Sequence, residues 1–172
     1  MTELIHESCI SSKNGDFRGG LDKAKEAAKR ERLVARQREA SSASSDPNPP
    51  PPNLDLTYCV LFNLGNHYQN CKMHQEALNT YAIIVKNKAF AQSGRLRVNM
   101  GNIFFDQQNF SQAVKMYRMA LDQIASANKI MRLKILMNIG IAFIKMSQFA
   151  DAASSFEAIM EVSPDHRAGE QS

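Results

Sequence analysis

The sequence predicts an all-α chain of stacked helical hairpins, and three observations carry that expectation. Apolar residues from Leu54 to Val162 recur at three- and four-residue steps, without strand-like alternation over any useful length. Five of the six prolines lie between Pro47 and Pro52 and the sixth is Pro164, so residues 53–163 can run as helices without a proline break. One spacing of small and aromatic residues also occurs three times. Leu64-Gly65 is followed by Tyr68, Ala77, Tyr81 and Ile84. Met100-Gly101 is followed by Phe104, Ala113, Tyr117 and Ala120, and Ile139-Gly140 by Phe143, Ala152, Phe156 and Ile159. The offsets from glycine are 3, 12, 16 and 19 in every copy.

Residues 1–40 read as a degenerate helical hairpin or a lone basic helix. Strong helix formers fill 21–39, with Leu21, Ala24, Ala27 and Ala28 as a thin apolar stripe. Asn14-Gly15-Asp16-Phe17 looks like a hairpin turn in which Phe17 matches Phe110 and Phe149. Residues 41–53 are a Ser/Pro linker, whose prolines favour extended geometry. Beyond it, helix breaks fall at 70–75, 86–92, 106–111, 126–129, 147–151 and Pro164, leaving room for six helices of about two to four turns each. Glycine and alanine let two antiparallel helices approach, and the aromatics fill the space beside the contact. A lone hairpin cannot bury its own apolar face, so stacking is required.

Composition narrows the function classes. Hydrophobic residues are 44%, charged residues 22% and the net charge is +4, which suits a folded chain and excludes a wholly disordered one. No apolar run approaches the length of a membrane helix, and Met1–Glu7 does not read as a secretory signal. Seven bases in 21–39 are interleaved with four acids at helical spacings, with no aromatic among them, so a solvated helix face fits better than a nucleic-acid stripe. Cys9, Cys59 and Cys71 form no CxxC pair, and their odd number fits reduced thiols. His6, His67, His74 and His166 are scattered, and phosphate loops and nucleophile elbows are missing. Neither a catalytic site, a metal site nor a cofactor is expected. Binding is the mechanism left.

The repeat resembles the tetratricopeptide repeat (TPR), a helix–turn–helix unit of about 34 residues that stacks into a superhelical solenoid. On that pattern the copies run 58–91, 94–127 and 133–166. The packing positions are then Leu64, Gly65, Tyr68, Ala77, Tyr81, Met100, Gly101, Phe104, Ala113, Tyr117, Ile139, Gly140, Phe143, Ala152, Phe156 and the closing Pro164. Arg97 stands where a large apolar residue is usual, and His74 where an aromatic is usual. The glycines are spaced 36 and then 39 apart, so the second helices of the first two copies, or the turns after them, must be longer than standard. Residues 167–172 read as the start of a further repeat, which would leave the apolar outer face of 152–162 without its neighbour.

The resemblance implies a partner-binding groove on the first helices. Its positions are Phe62, Asn66, Gln69 and Asn70, with Cys59; Arg95, Asn102, Phe105 and Asp106, with Val98; and Lys134, Met137 and Lys145, with Ile141 and Ile144. A carboxylate clamp for chaperone C-termini would need bases at Phe62 and Asn138; only Asn66, Asn99 and Lys134 match it. The mixed polar and apolar groove suits a helix or extended segment of a protein.

Strings beyond the packing positions are more specific. Asn53–Tyr58 with Val60–Leu64, Glu76–Tyr81 with Ile84–Lys88, Val98–Ile103 and Tyr117–Ile124 resemble the TPR subunits of intraflagellar transport complex B. That resemblance implies a non-enzymatic scaffold whose partners are other subunits of the complex and, indirectly, kinesin-2. It implies a place in the cilium, basal body and cytoplasm, no small-molecule substrate, no membrane insertion and no nucleic acid. The alternative is a generic TPR adaptor or cochaperone.

Overall fold

The computed structural model describes residues 1–42, 53–87, 90 and 93–162. These hold eight helices: α1 (Thr2–Lys13), α2 (Phe17–Ser42), α3 (Leu54–Asn70), α4 (His74–Lys86), α5 (Gly94–Asp106), α6 (Phe110–Gln123), α7 (Lys129–Lys145) and α8 (Phe149–Val162). Most of the linker, Pro164 and 167–172 lie outside the described residues. Helices α1–α4 belong to one compact unit and α5–α8 to another.

Each unit is two hairpins, α1/α2 with α3/α4 and α5/α6 with α7/α8. All four hairpin turns use one device. Gly15, Lys72, Gln108 and Ser147 adopt left-handed backbone, at φ 83°, 59°, 60° and 60°. The next amide donates back to the carbonyl five residues earlier: Asp16 to Ser11, Met73 to Tyr68, Asn109 to Phe104 and Gln148 to Phe143, all at 2.8–2.9 Å. The left-handed residue's own amide donates to the carbonyl three residues earlier. This double bond to the last turn is the Schellman arrangement, which satisfies carbonyls that the helix end would leave open. Two of the second helices gain a side-chain cap, with Asp16 accepting from the Gly19 amide and Asn109 from that of Gln112.

Across each of the three later hairpins an aromatic ring lies on a glycine: Tyr81 on Gly65, Tyr117 on Gly101 and Phe156 on Gly140. A Cβ on Gly101 would stand 2.5 Å from the Tyr117 ring, and one on Gly140 2.7 Å from that of Phe156. In the α1/α2 hairpin, Ser8 and Ala24 hold the equivalent places, and both are fully buried. The size order is inverted, with a larger residue on the first helix and a small one on the second. Ser8 is satisfied on both sides: its hydroxyl donates to the Ile5 carbonyl at 2.7 Å and accepts from the Asn63 amide at 2.8 Å.

In the first unit the alanine stripe of α2 is buried, and Leu21, Ala24 and Ala28 meet Val60 and Leu64 of α3. In the second, Ala113, Val114, Tyr117 and Ala120 of α6 share a core with Ile135, Ile139, Ala142 and Phe143 of α7. Leu64, Ala77, Tyr81, Gly101, Ala113, Tyr117, Gly140 and Ala152 are buried, whereas Tyr68, Met100, Phe104 and Phe156 are half-buried.

The uneven glycine spacing is taken up outside the second helices. Helices α4, α6 and α8 have 13, 14 and 14 residues. The extra residues fall between α4 and α5, between α6 and α7, and in the longer α7. Arg132 of α7 secures the second of these joints, donating to the carbonyls of Leu121 and Ile124 at 3.0 and 3.1 Å. A cation there also meets the negative end of α6. Arg97, the polar departure from the repeat, reaches Gln123 at 3.2 Å. His74 begins α4 as Phe17, Phe110 and Phe149 begin the other second helices, and its buried Nδ1 has no hydrogen-bond partner among the described residues.

A non-glycine residue in left-handed backbone costs about 1–2 kcal/mol. Gln108→Gly is therefore expected to raise the urea unfolding midpoint, equivalent to roughly 1 kcal/mol, and Gly15→Ala to lower it comparably. Equal midpoints for both variants and the parent would contradict the shared turn geometry.

Candidate protein-binding face

The sequence-derived groove positions lie on α3 in the first unit and on α5 and α7 in the second. In the first unit, Phe62 is half-buried and stacks on Tyr58, with centroids 5.8 Å apart and planes 9° apart. Asn70 and Cys59 are exposed. Asn66 and Gln69 turn partly inward. The Tyr81 hydroxyl donates to Asn66 Oδ1 at 2.7 Å and lies 3.2 Å from Gln69 Oε1.

In the second unit Asn102, Phe105 and Asp106 of α5 come together with Tyr117 of α6 and Asn138 and Ile141 of α7 around a cleft of about 220 Å³. The Tyr117 hydroxyl donates to Asn102 Oδ1 at 2.8 Å. Burial, and secondarily the Asp106 charge, push the Tyr117 pKa up to about 12, while a hydrogen bond from Asn138 acts the other way. The phenol therefore stays protonated at working pH and serves as a fixed donor. Phe105 packs edge-on against Phe110, with centroids 5.1 Å apart, and forms an apolar wall. Arg95 is exposed at the start of α5, and Lys134, Met137 and Lys145 are exposed on α7.

Asn66 and Asn102 thus have a role that the groove assignment missed. Each ties the tyrosine of the second helix to the first, within its own hairpin. A signal for this was present: asparagine follows the glycine in the two copies with tyrosine, and in the third Ile141 accompanies Phe156. Tyr117 and Asn138 also line the cleft, although the groove positions did not include them.

A different polar cluster lies in the first unit. His67 of α3 is 3% exposed, its Nδ1 is 3.1 Å from Ser12 Oγ of α1, and a Cβ on Gly20 of α2 would meet its ring at 3.0 Å. Cys9 donates to Asn63 Oδ1 at 3.4 Å beside it. His67 and His74 lie on different helices, and among the described residues no group of three or more His, Cys, Asp or Glu side chains could hold a metal ion. Among them, too, no helix is long and apolar enough to cross a membrane.

No protein-family model matches the chain. Human "Intraflagellar transport protein 88 homolog" is 51% identical over 169 residues, which is 98% of this chain and 20% of that protein. The sequence kinship is to intraflagellar transport protein 88. The chain spans about a fifth of the length of this curated relative. The crystal structure of BtubC from P. vanneervenii matches 98% of the chain and 65% of its own, with TM-score 0.68 and 11% identity. A crystal structure of MamA matches 91% and 74%, with TM-score 0.61 and 17% identity. These two likenesses show the fold alone, an all-helical solenoid of TPR-like hairpins. The intraflagellar transport protein 88 relation rests on the sequence.

Burial lowers the His67 pKa. The unfolded chain then binds the extra proton, so this contribution to stability is present above the unfolded value of about 6.5 and is lost as pH falls below it. The thermal midpoint is expected to fall between pH 7 and pH 5, and His67→Gln should flatten that dependence. An unchanged slope in the variant would contradict the role of this histidine.

Proposed function

We propose that the chain is a non-enzymatic interaction scaffold, a TPR segment that works within the intraflagellar transport B complex in ciliary assembly and anterograde transport. The observation that carries this reading is the 51% identity across 98% of the chain. The TPR-like hairpins support it, because stacked hairpins offer binding surface rather than reaction chemistry. The cleft offers such a surface: its lining joins two amides, a phenol held protonated and one carboxylate to the apolar Phe105 and Ile141. The direct partners are other subunits of the complex, with kinesin-2 reached through them, at the cilium, basal body and cytoplasm. The groove positions on α3, α5 and α7 are the proposed contact residues, and the repeat-packing positions hold them in place.

The cochaperone alternative fares less well. Phe62, where a clamp needs a base, is engaged in an aromatic stack, and Asn138 faces the Tyr117 cleft. Affinity capture from ciliated-cell lysate with the full chain as bait separates the readings. Recovery of intraflagellar transport subunits identified by mass spectrometry is expected. Recovery of chaperones without those subunits would overturn the scaffold reading.

A further inference from the structure

Helix α7 is apolar on both of its sides. Ile135, Ile139, Ala142 and Phe143 are buried in the core of the second unit. On the opposite side Ile130, Met137, Ile141 and Ile144 are 70%, 51%, 37% and 45% exposed. Their spacing of 7, 4 and 3 residues keeps them on one stripe. Single exposed apolar residues are ordinary on a protein surface, but an aligned row of four is not. The matching places on the other first helices are more polar: Asn66 and Asn102 stand where α7 has Ile141. Lys134 and Lys145 are exposed within the same arc of the helix, and α7 carries no acidic residue. At its edge the stripe opens into the cleft, where Ile141 faces Phe105.

We propose that this face of α7 docks an amphipathic helix of a partner protein whose apolar stripe is flanked by acidic residues. The proposal rests on the scaffold reading and names the chemistry of its partner. At a rise of 1.5 Å per residue the apolar stripe is about 21 Å long, which matches a partner helix of roughly four turns. The two lysines lie about 16 Å apart along the axis, so acidic residues roughly three turns apart on the partner meet both. The partner's central anchor is apolar, because it enters over Phe105 and Ile141. An acid placed there would instead meet Asp106 across the cleft. The mode is helix-in-groove recognition, with the charge pattern setting direction and partner choice.

The test uses the full chain and designed probes. One fluorescein-labelled 18-residue helical peptide carries leucines at i, i+4, i+7 and i+11 with flanking glutamates. Its twin has lysines in place of the glutamates, and binding is read by anisotropy at low salt. The glutamate peptide is expected to bind at least about tenfold more tightly than its twin. Met137→Glu or Ile141→Glu should each weaken it by about tenfold or more, and Lys134→Glu with Lys145→Glu should reverse the preference. Circular dichroism confirms that these exposed-site variants stay folded. Equal affinity for the two peptides, or no effect of Ile141→Glu, would overturn the proposal. So would self-association in sedimentation that Ile141→Glu abolishes, which would make a second copy the occupant. Ile141-dependent sedimentation with phosphatidylcholine–phosphatidylserine vesicles, in the absence of peptide selectivity, would make it a lipid surface. Capture of transport subunits by the unmutated chain without the peptide preference would remove this proposal and leave the scaffold reading standing. The preference without such capture would do the reverse.

Discussion

The contact on which both units depend is an aromatic ring laid across a glycine. In these three hairpins the helices come close where one of them lacks a side chain, and the opposing ring fills the space. Gly65 with Tyr81, Gly101 with Tyr117 and Gly140 with Phe156 repeat this contact. The interior is packed too densely to take an added methyl group there without displacing a ring. The ring in turn places its hydroxyl. In two hairpins that hydroxyl emerges beside the asparagine that follows the glycine, and one such pair lies in the wall of the cleft. Packing and candidate site are thus the same residues viewed from two sides.

The turns make that contact repeatable. A Schellman bond pair ends each first helix, and one left-handed residue swings the chain into the second. Because the bonds are backbone ones, the turn forms with different side chains at the left-handed position, although a non-glycine residue there carries a conformational cost. Lysine, glutamine, serine and glycine all occur in the role. The N-terminal hairpin uses the same turn yet reverses the size order of its central pair, Ser8 against Ala24. Serine brings a buried hydroxyl with it, and Asn63 of the next hairpin is recruited to satisfy it. A swap in packing thereby becomes a polar link between hairpins.

The helices, the repeat and its register were legible because glycine and aromatic residues are scarce and recur at fixed offsets. The N-terminal hairpin was only half legible, since its central pair has neither glycine nor an aromatic. Three kinds of feature left weak traces. The left-handed turn positions carry ordinary residues. Arg132 acts on carbonyls eight and eleven residues before it, a contact that depends on the path of the loop. Asn66 and Asn102 looked like groove residues because polar residues on a first helix suit a partner as well as they suit a neighbouring hydroxyl. The exposed stripe on α7 was legible in part: Met137, Ile141 and Ile144 were groove positions on the repeat pattern, whereas Ile130 was not, because in sequence a helix apolar on both sides cannot be told from one that is simply buried.

The central claim is that the glycine–ring contact sets the hairpin. Urea unfolding of Gly101→Ala, followed by helical circular dichroism and by hydrogen exchange in α5 and α6, tests it most directly. The account predicts a loss of about 2 kcal/mol, in the range of overpacking, with exchange protection falling first in those two helices. It also predicts partial rescue when Tyr117→Leu shortens the opposing side chain. A Gly101→Ala chain as stable as the parent, or more stable through the better helix propensity of alanine, would contradict it.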